Sequence, residues 1–201
     1  MKKLLNRVLF CLVLAAFAFY GTLLADREKL NDGLVRLHVV ANSDTEADQT
    51  VKLRVRDAIL CSIQEDLKAV ADVDEARTYL TENLPKLEKI ANAALSAAGV
   101  SDRAVVSLCR EAFDTRVYET FTLPAGVYEA LRVTIGAGEG HNWWCVAFPT
   151  LCLPATTREF SDTAAGAGFP EGLTQTLAKG EGHIRFFLLD ALGALEAGLF
   201  S

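Results

Sequence analysis

The sequence predicts an α+β fold: a single domain of two to three helices packed on a mostly antiparallel sheet, preceded by an N-terminal membrane or signal helix. Three observations predict it. An uncharged run, VLFCLVLAAFAFYGTLLA at 8–25, follows Lys2, Lys3 and Arg7. Between residues 43 and 98, apolar residues recur every three to four positions, the period of a helix with one buried face. After residue 104 the period shortens to two through a series of β-rich segments. Helices placed ahead of an antiparallel meander suggest a helical layer covering one face of a sheet.

The leading segment sets the compartment. A basic start, an apolar run of about 18 residues and a charged stop at DREK (26–29) have the layout of an export signal or a membrane anchor. The excess of positive charge before the run places Met1 in the cytoplasm and everything after residue 26 outside. Residues 1–29 are therefore assigned to the signal or anchor, and 33–153 to the α+β domain. Residues 154–182, small, Gly-rich and acidic, are predicted to form a flexible linker. HIRFFLLD at 183–190 suggests a last strand, followed by an apolar tail to residue 201.

Within the domain, GLVRLHVV from Gly33 predicts a strand. Ser43 and Glu46 have capping-box spacing, which predicts a helix start there. Val51, Val55, Ile59, Ile63 and Leu67 form the apolar stripe of that helix. A second helical stretch covers 74–98, with a break or kink expected near Asn83 because of Pro85. Strands follow at 104–111, 115–124, 127–136 and 143–148.

With 51% hydrophobic and 23% charged residues, the 201-residue chain has the composition of a globular protein. A net charge of −6, without any basic run, argues against nucleic acid as a partner, because phosphate contacts need clustered Lys and Arg. Neither a cofactor nor a small-molecule substrate is expected.

Three strings, RLHVVANSDTEADQTVKLRVRDAIL, LPAGVYEALRVTIGAGEGHNWWCVAFPTLC and the basic-apolar N-terminus, together closely resemble the stage II sporulation protein R family of endospore-forming bacteria. The resemblance spans roughly residues 33–153. It implies a protein made in the forespore and exported across its membrane into the intermembrane space. There it would trigger a membrane-embedded aspartic protease, the stage II GA protein, which removes the pro-segment of sigma-E in the mother cell. It implies signalling by binding, not catalysis.

Residues 138–154, GEGHNWWCVAFPTLCLP, concentrate the unusual side chains. His141, Cys145 and Cys152 offer three zinc ligands, but a structural zinc site usually needs four with paired spacing. Cys145 as a nucleophile would need a low pKa and a positioned base, for which His141 is the candidate. An exported zinc- or thiol-dependent enzyme built on His141 and Cys145 is thus the alternative reading. The preferred one is a Cys145–Cys152 disulfide, since six intervening residues including Pro149 permit a reversing loop and an exported pair stays oxidised. Trp143 and Trp144, adjacent on a strand, point to opposite faces, so one can anchor a partner. His141, Asn142, Trp143 and Trp144 are the expected contact residues, with His38 and Asn42 at the strand-to-helix corner second. Asn42, Ser43 and Asp44 also suit plain helix capping.

Overall fold

A computed structural model describes residues 1–151, 156–180 and 183–200. The elements run α1 (Lys2–Gly33), β1 (Val35–Val40), α2 (Glu46–Ala69), α3 (Val73–Ala97), β2 (Ala104–Phe113), β3 (Arg116–Val117), β4 (Thr122–Leu123), β5 (Gly126–Ile135), β6 (Asn142–Phe148), α4 (Thr157–Gly166), α5 (Glu171–Lys179) and α6 (Ile184–Phe200). The fold is α+β, with an apolar N-terminal helix.

One four-stranded sheet has the order β2-β5-β1-β6. β2–β5 and β1–β6 pair antiparallel, while the two central strands β1 and β5 run parallel, Val35 opposite Glu129 through Val40 opposite Thr134. The parallel pair requires a crossover, and α2, α3 and β2 supply it. All six β1 residues are buried: β1 has a neighbour on each side, the helices cover most of both faces, and Phe113 and Trp144 cover His38.

The helices cover both faces of the sheet, not one. Against the first face, α2 and α3 bury Val55, Ile59, Ile63, Leu80, Leu87 and Leu95 onto Leu37, Val39, Leu131 and Val133. Against the second, Leu23 and Leu30 of α1, Phe160 of α4, Leu173 of α5, and Phe186 and Leu189 of α6 close over Tyr128, Ala130 and Val146.

Several expectations are corrected. The predicted linker contains α4 and α5. A Thr156–Glu159 capping box starts α4, and Phe160 with Ala164, then Leu173 with Leu177, supply buried pairs at four-residue spacing. The predicted last strand is α6, because Phe186, Leu189 and Gly193 repeat at helical spacing and meet the sheet. The segment predicted as one strand at 115–124 folds into the separate β3–β4 hairpin, Arg116 opposite Leu123. α2 begins at Glu46 with Thr45 as its N-cap, accepting from the Asp48 N–H, while Ser43 donates to Asp48 Oδ2 at 2.5 Å. α3 stays one helix through Pro85, which is exposed, as is Thr81 one turn earlier.

α1 is the one described helix long and apolar enough to cross a membrane. It enters the domain without a linker. Leu23, Asp26, Arg27, Leu30 and Asn31 are buried, so the expected boundary at residue 29 lies inside a packed helix. Asp26 pairs with Arg185 at 2.5 Å, and Arg27 pairs with Glu196 at 2.7 Å and donates to the Ala125 carbonyl at 2.8 Å.

Candidate functional site

The strand register builds two rows of side chains on the sheet face opposite α2 and α3. Trp144, His38, Arg132 and Ser107 form one row, and Asn142, Val40, Thr134 and Val105 the next. The helices of this face close over Leu34, Tyr128, Ala130 and Val146 further down the strands. The two rows lie at the open end, where Val105 is 59% exposed and the Arg132 side chain 40%. The glycine-rich loop folds back over part of it: Gly138 has φ +67°, and a Cβ there would stand 2.6 Å from Thr134 Cγ2.

On the first row, His38 stacks on Trp144 with ring centroids 5.8 Å apart and meets the edge of Phe113 at 5.9 Å. The Arg116 guanidinium, carried in by the β3–β4 hairpin, lies over the same indole, 3.5 Å from its centroid. His38 Nδ1 is 2.6 Å from Glu111 Oε2, while Arg132 donates to Glu111 Oε1 at 3.0 Å and the Cys109 thiol donates to the same oxygen at 3.4 Å. Burial opposes ionisation of Glu111, but the hydrogen bond and charge of His38 and the charge of Arg132 outweigh it. The carboxyl is held below its ordinary value. Burial, then the neighbouring Glu111 charge, push the Cys109 thiol up, the wrong direction for a nucleophile.

One step down β1 is Arg36, fully buried. Its guanidinium is sandwiched between Phe113 at 4.1 Å and Tyr128 at 5.3 Å and donates through Nη2 to the Tyr118 hydroxyl at 2.5 Å. Nε and Nη1 have no hydrogen-bond partner, nor does the buried Nε2 of His38. A buried cation without a carboxylate costs several kcal/mol, on the order of what two cation–π contacts return.

The strand-to-helix corner is a second group. Asn42 Oδ1 accepts the Ala137 N–H at 2.9 Å, and its amide donates to Asp48 at 3.0 Å. His141 is exposed. Its backbone N–H donates to Asp44 Oδ1 at 2.5 Å and its ring Nδ1 pairs with the same carboxylate. That ring bond, with the backbone bond second, holds the Asp44 carboxyl below its usual value. The Ser43 hydroxyl, then Asn42, do the same for Asp48. Lys52 Nζ, whose burial lowers its pKa, donates to the His141 carbonyl at 2.9 Å and to Gln49 at 2.6 Å. Loop 136–141 is thereby laced to the start of α2.

The six predicted contact residues therefore divide. His38, Trp144 and Asn142 share the open face, His38 itself buried beneath Trp144 and Phe113, and His141 and Asn42 lie in the corner at its edge. Trp143 is on the other side of the sheet, half-buried against the first core under Arg56, 4.9 Å from its ring, as Trp144 is half-buried against the second. Asn42 serves the loop and the helix cap. Sequence reasoning missed Arg36, Glu111, Phe113, Arg116 and Arg132. The alternation in AVVSLCREAF and VYEALRVTI places Glu111 and Arg132 on strands, but only the β2–β5 register brings them together. Cys145 is buried on the first-core side, away from the exposed His141 ring, so the pair does not form a catalytic unit. Cys145 is not among the free thiols Cys11, Cys61 and Cys109, and its expected partner Cys152 lies outside the described residues. Among the described residues there is no group of three His, Cys, Asp or Glu able to hold a metal.

No solved structure matches the chain. The stage II sporulation protein R of Bacillus subtilis (strain 168) is 38% identical over 122 residues, 61% of this chain and 54% of that protein, so the chain spans about half the length of this curated relative. The family model described as Stage II sporulation protein R matches residues 31–158, which take in all four strands of the main sheet and both the open face and the corner. The chain belongs to the stage II sporulation protein R family.

Proposed function

We propose that this chain is an exported sporulation signal that activates, by binding, the membrane-embedded aspartic protease processing pro-sigma-E, the stage II GA protein. The signal would cross the forespore membrane on α1 and act in the intermembrane space. The observation that carries the reading is the open sheet end. Trp144 contacts His38 and Arg116 there, in the row that also carries Arg132, aromatic and arginine side chains of the kind that dominate binding energy at interfaces. The corner, with His141 and Asp44, forms its rim. Neither group includes an activated nucleophile, so the action assigned to them is recognition. The domain would favour the active arrangement of the protease by binding that arrangement more tightly than the inactive one.

Co-expressing the full chain, the protease and pro-sigma-E in a non-sporulating host tests this. Processing should appear with the native chain and fall with Arg132→Ala and Trp144→Ala, at unchanged amounts of chain. Processing equal to a no-signal control with the native chain sinks the proposal. Processing unaffected by both variants moves the contact surface elsewhere.

A further inference from the structure

Helix α6 departs from the usual surface helix, which turns charge to solvent and apolar residues inward: it is apolar on its outer side as well as its inner one. Its three charged side chains point into the molecule. Arg185 binds Asp26, Asp190 accepts the Ala125 N–H at 2.7 Å and the Thr115 hydroxyl, and Glu196 binds Arg27 and Asn31. The outward positions Ile184, Phe187, Ala191, Leu195 and Leu199 recur at three- and four-residue spacing without a polar group. Ile184, Phe187, Leu195 and Leu199 are 64–90% exposed. A contiguous apolar stripe of this kind marks a surface that is covered in use.

The position of α6 says what covers it. Phe186 and Leu189 share a core with Leu23 of α1, and Arg185 is fixed to Asp26, the first charged residue after the uncharged run 8–25. The first turn of α6 therefore lies where α1 passes from its membrane-crossing part into the domain. Tyr20 and Leu24 are exposed on α1 just before that level. With 17 residues, α6 is about 26 Å long, suited to lying along a bilayer surface more than to crossing one. We propose that the outward stripe of α6 is seated in the interface of the membrane that α1 crosses. The domain would thereby be held against the lipid at two places. This rests on the reading of α1 as a retained membrane helix. The charges of α6 are all engaged internally, so seating depends on apolar burial and not on anionic lipid.

The test reconstitutes the full chain carrying Leu199→Trp in phosphatidylcholine vesicles brominated near the headgroup end of the acyl chains. The native Trp143 and Trp144 serve as background. At least a twofold loss of the added emission is expected, equal with and without phosphatidylglycerol. Adding Phe187→Glu and Leu195→Glu should abolish the quenching while the chain still floats with the vesicles. Floating with an added emission that is open to aqueous iodide overturns the proposal alone. So does emission shielded from iodide only at high protein density, which would assign the stripe to a second copy of the chain. A chain that does not float overturns the anchoring reading itself.

Discussion

Arg116 lies face-on to Trp144, its guanidinium carbon 3.5 Å from the ring centroid, with His38 stacked on the same indole. The β3–β4 hairpin is thereby tied to the edge strand β6 by one cation–π contact, worth about 1 kcal/mol when partly exposed. If the open face is the contact surface, Trp144→Ala should lower pro-sigma-E processing at least tenfold, with a stability loss of roughly 1–2 kcal/mol. Trp143→Ala, on the α2–α3 side of the sheet, should cost about 2–3 kcal/mol and reduce processing only as the domain unfolds. Urea denaturation beside the processing assay separates the two. Equal effects on processing per folded molecule would contradict the division of faces.

Arg36 is buried with two unpaired donor nitrogens. Replacing an unpaired buried cation by an apolar side chain of similar length is usually neutral or stabilising. Arg36→Met should therefore keep or raise the stability, by up to about 2 kcal/mol. A loss larger than about 2 kcal/mol would show that the Phe113 and Tyr128 ring contacts outweigh desolvation.

Glu111 makes the fold sensitive to acid. Its folded pKa lies below the ordinary glutamate value of 4.5, so the unfolded chain binds more protons between the two. The stabilisation is fully present above that ordinary value and is lost as pH falls through the folded pKa. Glu111→Gln should lower stability at pH 7 and flatten its dependence on pH below about 4.5. Melting curves at pH 3 to 7 for both chains check this. Parallel curves would remove Glu111 from the account.

Gly193 sits where α6 crosses the start of β5. A Cβ there would stand 1.7 Å from the Ala125 carbonyl oxygen and 2.6 Å from Arg27 Nη1. Gly193→Ala should cost at least roughly 3 kcal/mol, by forcing α6 off the sheet. Gly198→Ala, which meets nothing within 4 Å, should be neutral or slightly stabilising. The pair of melting temperatures decides whether α6 is integral to the domain.

A Cys145–Cys152 bond, if formed, closes a loop short enough that the chain-entropy model gives it about 2.5 kcal/mol. Mass spectrometry of the unreduced chain should find that pair linked and Cys61 and Cys109 free. Reduction should then lower the denaturation midpoint. Alkylation of both Cys145 and Cys152 without reduction would refute the pairing.

The sequence made most of the scaffold legible and less of the site. Strands β1, β2, β5 and β6 and helices α2 and α3 have strong periods, and period is a local property. α4 and α5 hid behind glycines and alanines, since their helical signal is a capping box and two apolar pairs that only a waiting core makes decisive. α6 is so apolar that a helix and a buried strand read alike over its first eight residues. His38 and Trp144 were recognisable as unusual side chains. Their partners Glu111, Arg116 and Arg132 arrive from β2, the hairpin and β5, through a register set by a parallel pairing that no short stretch announces.

α1 runs into the domain without a hinge, its last ten residues gripped by α6 and β5. If α1 stays in a membrane, the chain has no swivel between anchor and head. It can spin about the membrane normal, but it cannot bow or reach outward. If the open face meets the protease, the angle at which Trp144 is presented is then fixed by the stalk, and inserting a flexible spacer after Ala25 should lower pro-sigma-E processing even though no residue of that face is changed.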